Sequence, residues 1–330
     1  MGTVRRIAKN SFFVFTGEII MRLIAFFAGL ILIRYLGSAD FGMYSLIYTF
    51  ISFFQIFMDM GIDSIIVREL AKDAKKGEEL IGNGVTLKFF FSLVGIILCW
   101  VILQGMHYPL DIKMLIYIAS LGMVFSFGTL FNDIFQAKLV MQYPTVINIM
   151  MKVILTALTI IFIFLKAKLF YFILINLAVY IAQVMIIFYQ ARKLLPVRLR
   201  MNFEIWKELL RQSWPLAVST FFISIYTRID QLLLFSMKGK EELGFYAASV
   251  KLAELPSVLV GAFIVSVFPL FSEYYVASPE AFKKIYEKSF KYLMMFIIPV
   301  AMLLMLYSRQ VILACYGQSF LPSRISLAIL

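Results

Sequence analysis

Residues 34–70 read RYLGSADFGMYSLIYTFISFFQIFMDMGIDSIIVREL. The stretch opens on a short turn marked by Gly37 and Gly42. An apolar run follows, threaded with Ser45, Thr49, Ser52, Gln55 and Asp59, and a segment with Asp63, Arg68 and Glu69 closes it. The run has roughly the length that a helix needs to cross a bilayer. Its polar residues recur at three- or four-residue steps, which places them on one helix face. The opening turn is repeated. A shift of 202 residues lays Gly37, Asp40, Phe41, Gly42 and Tyr44 on Gly239, Glu242, Leu243, Gly244 and Tyr246 without a gap. Each copy joins the first and second spans of its half, and both fall on the same side, so the two halves form a parallel repeat.

The rest of the chain fits this reading. Of 330 residues, 62% are hydrophobic and 15% charged, against about 45–50% and about 25% in soluble domains. The excess lies in repeated runs of roughly 20 apolar residues, so the chain is an all-α polytopic membrane protein. About nine complete spans meet that length, at 11–35, 42–59, 83–103, 114–135, 145–165, 169–189, 214–236, 244–270 and 290–308. A tenth begins near Pro322, and the chain stops inside it, which reads as a fragment. The first run is too long for a signal peptide and lacks a cleavage site, so it should remain as a span.

The net charge of +12 would ordinarily suggest nucleic acid. Here the cations sit mostly in short loops between apolar runs, where they report topology. Arg5, Arg6 and Lys9, then Arg68, Lys72, Lys75 and Lys76, then Lys138, then the cations of 192–211 and of 283–291 share one side. The opposite side holds about a third as many, which places the N-terminus in the cytoplasm. Nucleic acid is excluded, and the expected location is the cytoplasmic membrane. Cys99 and Cys315 make neither a disulfide framework nor a metal spacing, and no cofactor or metal is expected.

The longest cytoplasmic connection divides the chain. Residues 1–189 form an N-lobe of six spans, 190–213 a basic linker, and 214–330 the start of a C-lobe with three spans and part of a fourth. Within the linker, NFEIWKELLRQS reads as a short surface helix with Trp206 as its interfacial anchor.

Ionisable residues inside a membrane are costly, so they face a cavity or a partner. Glu18 and Arg22 are one turn apart and can pair. The repeat shift carries Ser45, Thr49, Ser52, Gln55 and Asp59 to Ala247, Lys251, Glu254, Ser257 and Gly261, so the same face is polar in both halves. Pro256 would kink that span. Thr145, Asn148, Lys152, Thr156 and Thr159 make a third stripe, and Asn176, Tyr180 and Gln183 a fourth. Arg228 and Asp230 are about 200° apart on their helix, so Arg228 is assigned to a cavity and Asp230 to a partner, or the reverse. Hydroxyls in membrane helices also serve simply to bond backbone. Asp59, Asp63 and Lys88 lie near span ends and read as interfacial, although Asp59 also belongs to the stripe. His107 reads as a solvated loop residue. Together Arg22, Lys152, Arg228 and Lys251 suggest an anionic ligand such as a phosphate or pyrophosphate.

These residues carry a family resemblance. Ile7-Ala8-Lys9-Asn10, Arg34-Tyr35-Leu36-Gly37, Phe41-Gly42-Met43-Tyr44, Asp59-Met60-Gly61 and Val67-Arg68-Glu69-Leu70 are similar to the N-terminal signature of polysaccharide-biosynthesis flippases. Arg228-Ile229-Asp230-Gln231, Leu243-Gly244-Phe245-Tyr246 and Tyr316-Gly317 with Phe320-Leu321-Pro322 resemble that family's second half. The resemblance implies the multidrug/oligosaccharidyl-lipid/polysaccharide exporter fold, with two six-helix lobes around a central cavity. It implies that a polyprenyl-pyrophosphate-linked oligosaccharide is flipped by alternating access, coupled to a proton or sodium gradient. It further implies cavity cations that engage the pyrophosphate, a pattern that Arg22 and Arg228 match. Asp59, Asp230 and Glu254 are the candidates for the coupling ion. Membrane lipids and glycan-assembly proteins are the implied partners. Against about twelve to fourteen spans in the family, the second lobe here is incomplete.

A multidrug cation antiporter of the same superfamily is the nearest alternative, and Asp230 and Glu254 are its support. A membrane-embedded glycan polymerase or ligase would usually need a sizeable outer loop with acid–base residues. The outer loops are short and the chain has one His. The expectation is a transporter and not an enzyme.

Overall fold

The computed structural model describes residues 2–73 and 76–330, with side chains from Phe13 onward except at 74, 75, 258, 259, 262, 265, 266, 269, 272 and 276. Arg5, Arg6, Lys9 and Lys75, which helped to set the expected orientation, lie outside the described side chains. Every regular element among the described residues is helical.

The first helix, α1 (Gly2–Asp59), is two helices joined at one residue, Gly37, whose φ of 71° and ψ of 177° are not helical. That region is essentially reserved for glycine. The sequence suggested a turn spanning Gly37 to Gly42. Instead Gly37 alone redirects the chain, and helix resumes at once through Ser38. A second break, at Met60 (φ 44°) and Gly61 (φ 71°), separates α1 from α2 (Ile62–Lys72). Then come α3 (Gly77–Gly105) and α4 (Leu110–Ser120), a 3-10 stretch at Leu121–Gly128, and α5 (Thr129–Ala137). The expected fourth span is thus one crossing with a tightened middle, LGMVFSFG. Next are α6 (Gln142–Phe164), α7 (Leu169–Leu194) and α8 (Phe203–Lys238).

Gly239 (φ 84°, ψ −169°) breaks the chain in the manner of Gly37, and α9 (Lys240–Ala253) follows. The helix ends at Glu254, and α10 (Leu255–Ala277) begins with Pro256 in its first turn, where a missing N–H is harmless. The expected kink at Pro256 is therefore a helix boundary. The chain continues through α11 (Pro279–Leu306), α12 (Ser308–Tyr316), a 3-10 turn at Gln318–Phe320 and α13 (Ser323–Ile329). Gly317 (φ 87°, ψ −174°) is a third break in the same conformation.

Seven segments among the described residues are long and apolar enough to cross a membrane. The first, Phe13–Lys72, has 60 residues, well beyond the roughly 20 of a single crossing; its breaks at Gly37 and Gly61 divide it. Large apolar side chains such as Phe27, Ile97, Val101 and Phe222 are exposed, as suits lipid contact.

By packing, the chain forms two compact units. The first comprises 1–32 and 43–239, the second 33–42 and 240–330. In the first, the core joins Ile62, Ile66 and Leu70 of α2, Ile81 and Val85 of α3, Phe131 and Phe135 of α5, Val184 and Ile187 of α7, and Trp206 and Leu209 of α8. The α2 positions recur at helical spacing, so one face is buried while Arg68, Glu69 and Lys72 face outward as an ion-paired group. Trp206 is 7% exposed and packs against Phe90 in a tilted contact and against Phe203 edge to face. It is a core residue, not the interfacial anchor that the sequence suggested. The reason is that NFEIWKELLRQS is not a separate surface helix: from Phe203 it runs on as α8 for 36 residues. Only 195–202 lies between α7 and α8.

In the second unit, α9 packs on α13, and α10 on α11. Ser249 Oγ donates to the Ser323 carbonyl at 2.8 Å, and the Tyr316 hydroxyl to that of Ala248 at 3.1 Å. The segment 33–42 is anchored here. Arg34 Nε donates to the Cys315 carbonyl at 2.6 Å, and Nη2 to that of Ala314. Those are last-turn carbonyls of α12 that lack helical partners. The two copies of the repeat meet in this unit as well. A Cβ on Gly42 would overlap the Lys240 carbonyl, and a Cβ on Gly244 would overlap that of Ser38.

Candidate functional site

The first unit holds two neighbouring cavities of mixed lining, about 240 Å³ and about 280 Å³ in volume. Both are lined by Asn176 and Tyr180 of α7. The first adds Tyr48, Ile51 and Gln55 from α1, with Gly122 and Met123 from the 3-10 stretch. The second adds Met21 from α1, and Asn148, Lys152 and Leu155 from α6. Gln183 of α7 also lines it and donates to Asn148 Oδ1 at 2.8 Å. Of the α6 stripe Asn148 and Lys152 line this space, and of the α7 stripe Asn176, Tyr180 and Gln183, whereas Thr156 and Thr159 bond carbonyls of their own helix.

The hydrogen bonds fix how the amides are presented. Asn176 Nδ2 donates to the Phe172 carbonyl at 2.8 Å, one turn back on its own helix. The Tyr44 hydroxyl is hydrogen-bonded to Tyr48 and Asn176, and the two tyrosine rings pack 4.7 Å apart. Tyr180 donates to the Phe125 carbonyl at 3.2 Å. The two cavities thus offer amide and phenol groups, which suit hydroxyl-rich ligands, and one charged lining residue, Lys152.

The stripe from Ser45 to Asp59 divides into separate roles. Ser45 and Thr49 each donate to Gln231 Oε1 of α8 at 2.8 Å, and Thr49 and Gln231 are buried. Ser52 bonds the Thr49 carbonyl of its own helix at 2.7 Å. Only Gln55 lines the cavity.

Asp59 has gone elsewhere. Lys88 of α3 is 1% exposed, and its Nζ donates to Asp59 Oδ1 at 2.7 Å, to Asp63 Oδ1, and to Thr129 Oγ1 of α5 at 2.8 Å. The break at Met60 and Gly61 sets the two carboxylates on either side of one ammonium. These three residues looked interfacial in the sequence; in the structure they form one ion-paired cluster in which Lys88 is buried and the two carboxylates are partly exposed. Two charges that end one span and start the next meet only because the chain bends sharply between them.

The remaining candidates are more dispersed. Arg22 Nε donates to Glu18 Oε2 at 3.3 Å, so the expected pair is present, with both side chains about half exposed. Arg22 adjoins Met21 in sequence but turns to Glu18 and does not line the cavity. On α8, Arg228 is exposed and Asp230 half-buried. Lys251 and Glu254 are exposed at the end of α9, and among the described residues no ion pair joins them. The glycines behave as two kinds: Gly37 and Gly239 break helices, whereas Gly42 and Gly244 allow close approach.

Sequence reasoning passed over Asp133. It lies one turn beyond Thr129 on α5, is 7% exposed, and feels the charges of Asp63, Lys88 and Asp59. The available signal was simple: an ionisable residue inside an apolar run.

A family model described as polysaccharide biosynthesis protein matches residues 7–275. No curated protein sequence matches the chain. Among solved structures, the lipid II flippase MurJ in an inward closed conformation is similar with a TM-score of 0.76 at 16% identity, over 96% of this chain and 71% of that one. An inward-facing multidrug resistance MATE family transporter of the MOP superfamily gives 0.70 at 16% identity, over 93% and 75%. A MOP superfamily transporter from Pyrococcus furiosus, described by the reverse polarity of its binding pocket, gives 0.67 at 17%, over 98% and 76%. The chain shares the fold of these transporters.

Proposed function

Since the chain belongs to the polysaccharide biosynthesis protein family, we propose that it is a transporter that flips a polyprenyl-pyrophosphate-linked oligosaccharide across the cytoplasmic membrane by alternating access. The observation that carries this reading, beside the family, is the composition of the cavity. Asn148, Asn176, Gln183 and Tyr180 offer donors and acceptors to sugar hydroxyls, and Lys152 offers a cation to a phosphate. An antiporter for cationic drugs would call for a carboxylate in that lining, and the charged residue there is Lys152.

In this proposal the head group enters from the cytoplasm, on the side of the N-terminus, and the lipid tail stays in the bilayer. Arg22, Arg228 and Lys251 are proposed as further phosphate-binding cations. Asp59, Asp230 and Glu254 are proposed as groups that couple transport to an ion gradient, and glycan-assembly proteins as partners. Residues 1–189 and 214–330 are proposed as the two lobes, joined through 190–213. Rocking of the lobes would expose the site to the outer side.

The test is transport of a fluorescent lipid-linked oligosaccharide in vesicles. Lys152→Gln should reduce the rate severalfold with folding intact, and Arg22→Ala with Arg228→Ala should reduce it further. Unchanged transport in all three variants overturns the cationic site. A wild-type protein that moves cationic dyes and leaves the lipid-linked sugar in place favours the antiporter.

A further inference from the structure

We propose that the cluster around Lys88 is a proton site, with Asp133 as the group that carries the proton. The charge count motivates it. Three carboxyl groups, from Asp59, Asp63 and Asp133, surround a single ammonium. The three Nζ hydrogens of Lys88 are already placed on Asp59, Asp63 and Thr129. None is left for Asp133, and among the described residues Asp133 Oδ2 is buried without a hydrogen-bond partner.

The carboxyls differ in how deeply they are buried. The Asp59 side chain is 44% exposed and the Asp63 side chain 25%, whereas Asp133 is 7% exposed. Asp59 and Asp63 each accept a hydrogen from Lys88, and the uncompensated charge falls on Asp133. An ionised carboxylate so deeply placed, with no donor, is the least favourable state of the cluster. One added proton removes it. The step is the making and breaking of a single O–H bond on Asp133, with water as the source and sink of the proton. A metal ion fits less well: among the described residues no three His, Cys, Asp or Glu side chains are arranged to hold one.

The surroundings tie the charge of the cluster to the cavity. The charged groups that act on Asp133 are Asp63 of α2, Lys88 of α3 and Asp59 at the end of α1. From α7, Tyr180 is close enough to feel Asp63, and the same Tyr180 lines both cavities. From α6, Tyr143 packs on Phe135. Asp59 and Asp63 also flank the Met60–Gly61 break. A change of one charge at Asp133 is thus felt at a helix break and at the cavity wall. This deepens the flippase reading by naming the coupling species, and its part in transport rests on that reading; the proton itself does not.

The test uses the full chain in nanodiscs without substrate. Infrared difference spectra between neutral and alkaline pH, in H2O and D2O, report the C=O stretch of carboxyl groups that are protonated at neutral pH. The wild type should show a deuterium-sensitive band at neutral pH, lost in Asp133→Asn and kept in Glu280→Gln. Asp63→Asn, which removes a neighbouring negative charge, should move the disappearance of the band to lower pH, and it serves as the second variant if Asp133→Asn does not fold. Absence of the band from the wild type overturns the proposal, as does a band that survives in Asp133→Asn or that follows sodium concentration instead of pH. Lost transport with the band intact would sink the flippase reading alone, and an absent band with intact transport would sink the proton site alone.

Discussion

Gly42 and Gly244 approach so closely that a Cβ on Gly42 would lie 2.9 Å from the Gly244 amide nitrogen. The same shift of 202 residues relates both partners of the contact: Gly42 faces Lys240, and Gly244 faces Ser38. The contact is therefore its own mirror in sequence, as an isologous contact between two copies of one motif must be. Its obstacles are backbone atoms, which cannot rotate away as a side-chain end could. Gly42→Ala and Gly244→Ala should each cost on the order of 1–3 kcal/mol, in the range of other overpacking changes. Gly29→Ala, with nothing within 4 Å of the new Cβ, should be neutral or slightly stabilising. Thermal unfolding followed with a thiol-reactive dye on buried Cys99 would rank the three.

Gly37 tests a different cost. A Cβ there meets nothing within 4 Å, so any penalty for Gly37→Ala is conformational and not steric. The backbone at φ 71° and ψ 177° is essentially closed to other residues, and we expect a loss of about 1–3 kcal/mol. Asparagine tolerates the left-handed helical region but not this one, so Gly37→Asn should be no milder than Gly37→Ala. A Gly37→Asn variant of wild-type stability would contradict the argument.

Buried Lys88 holds two partly exposed carboxylates that would otherwise face one another. Lys88→Met leaves them facing one another and should cost about 3–5 kcal/mol, as for other broken buried pairs. Removing all three charges, as Lys88→Met with Asp59→Asn and Asp63→Asn, should recover most of the loss, since a neutral cluster has no charge to strand. Melting temperatures of the single and triple variants in detergent decide this. A triple variant as unstable as the single one would mean that Lys88 acts through packing alone.

Gln231 gives a smaller and more local test. Its Oε1 accepts from both Ser45 and Thr49. Gln231→Leu strands a buried hydroxyl and should cost about 1–3 kcal/mol. Thr49→Val in the same chain removes the stranded donor, so the double variant should be more stable than the sum of the singles. A double-mutant cycle without coupling would deny the shared acceptor.

What was legible in the sequence was whatever depends on residue type and helical spacing. Gly37 and Gly239 stood out because only glycine serves there, and their spacing from Gly42 and Gly244 revealed the repeat. Asn148, Lys152, Asn176 and Gln183 were legible as stripes, since a polar face on an apolar helix must find a partner. The Lys88 cluster was not. Asp59 and Asp63 are brought together by a break at Met60 and Gly61, and a charge near a span end looks the same whether it faces water or a lysine. Trp206 misled for a related reason: NFEIWKELLRQS has the polarity of a surface helix, and only its continuation through α8 places it in the core. Gly317 adopts the Gly37 conformation without the rest of the motif, so no repeat announced it.

Arg34 offers a last test, of how the segment 33–42 is held in the second unit. Its guanidinium forks onto the Ala314 and Cys315 carbonyls at the end of α12, just before the Gly317 break. Two effects are combined there: hydrogen bonds to carbonyls that lack helical partners, and a positive charge at the negative end of a helix. Arg34→Lys retains the charge but replaces a rigid fork with one ammonium, which cannot reproduce the two-carbonyl geometry. Arg34→Met removes both. The side chain is exposed, so the global cost should be modest, about 1 kcal/mol or less even for Arg34→Met. The local effect should be larger. Hydrogen exchange over 313–320 should quicken in Arg34→Lys and quicken further in Arg34→Met, while exchange in α6 and α7 stays unchanged. Equal protection in Arg34→Lys and the wild type would show that charge alone holds the helix end, and unchanged exchange in Arg34→Met would remove Arg34 as its cap.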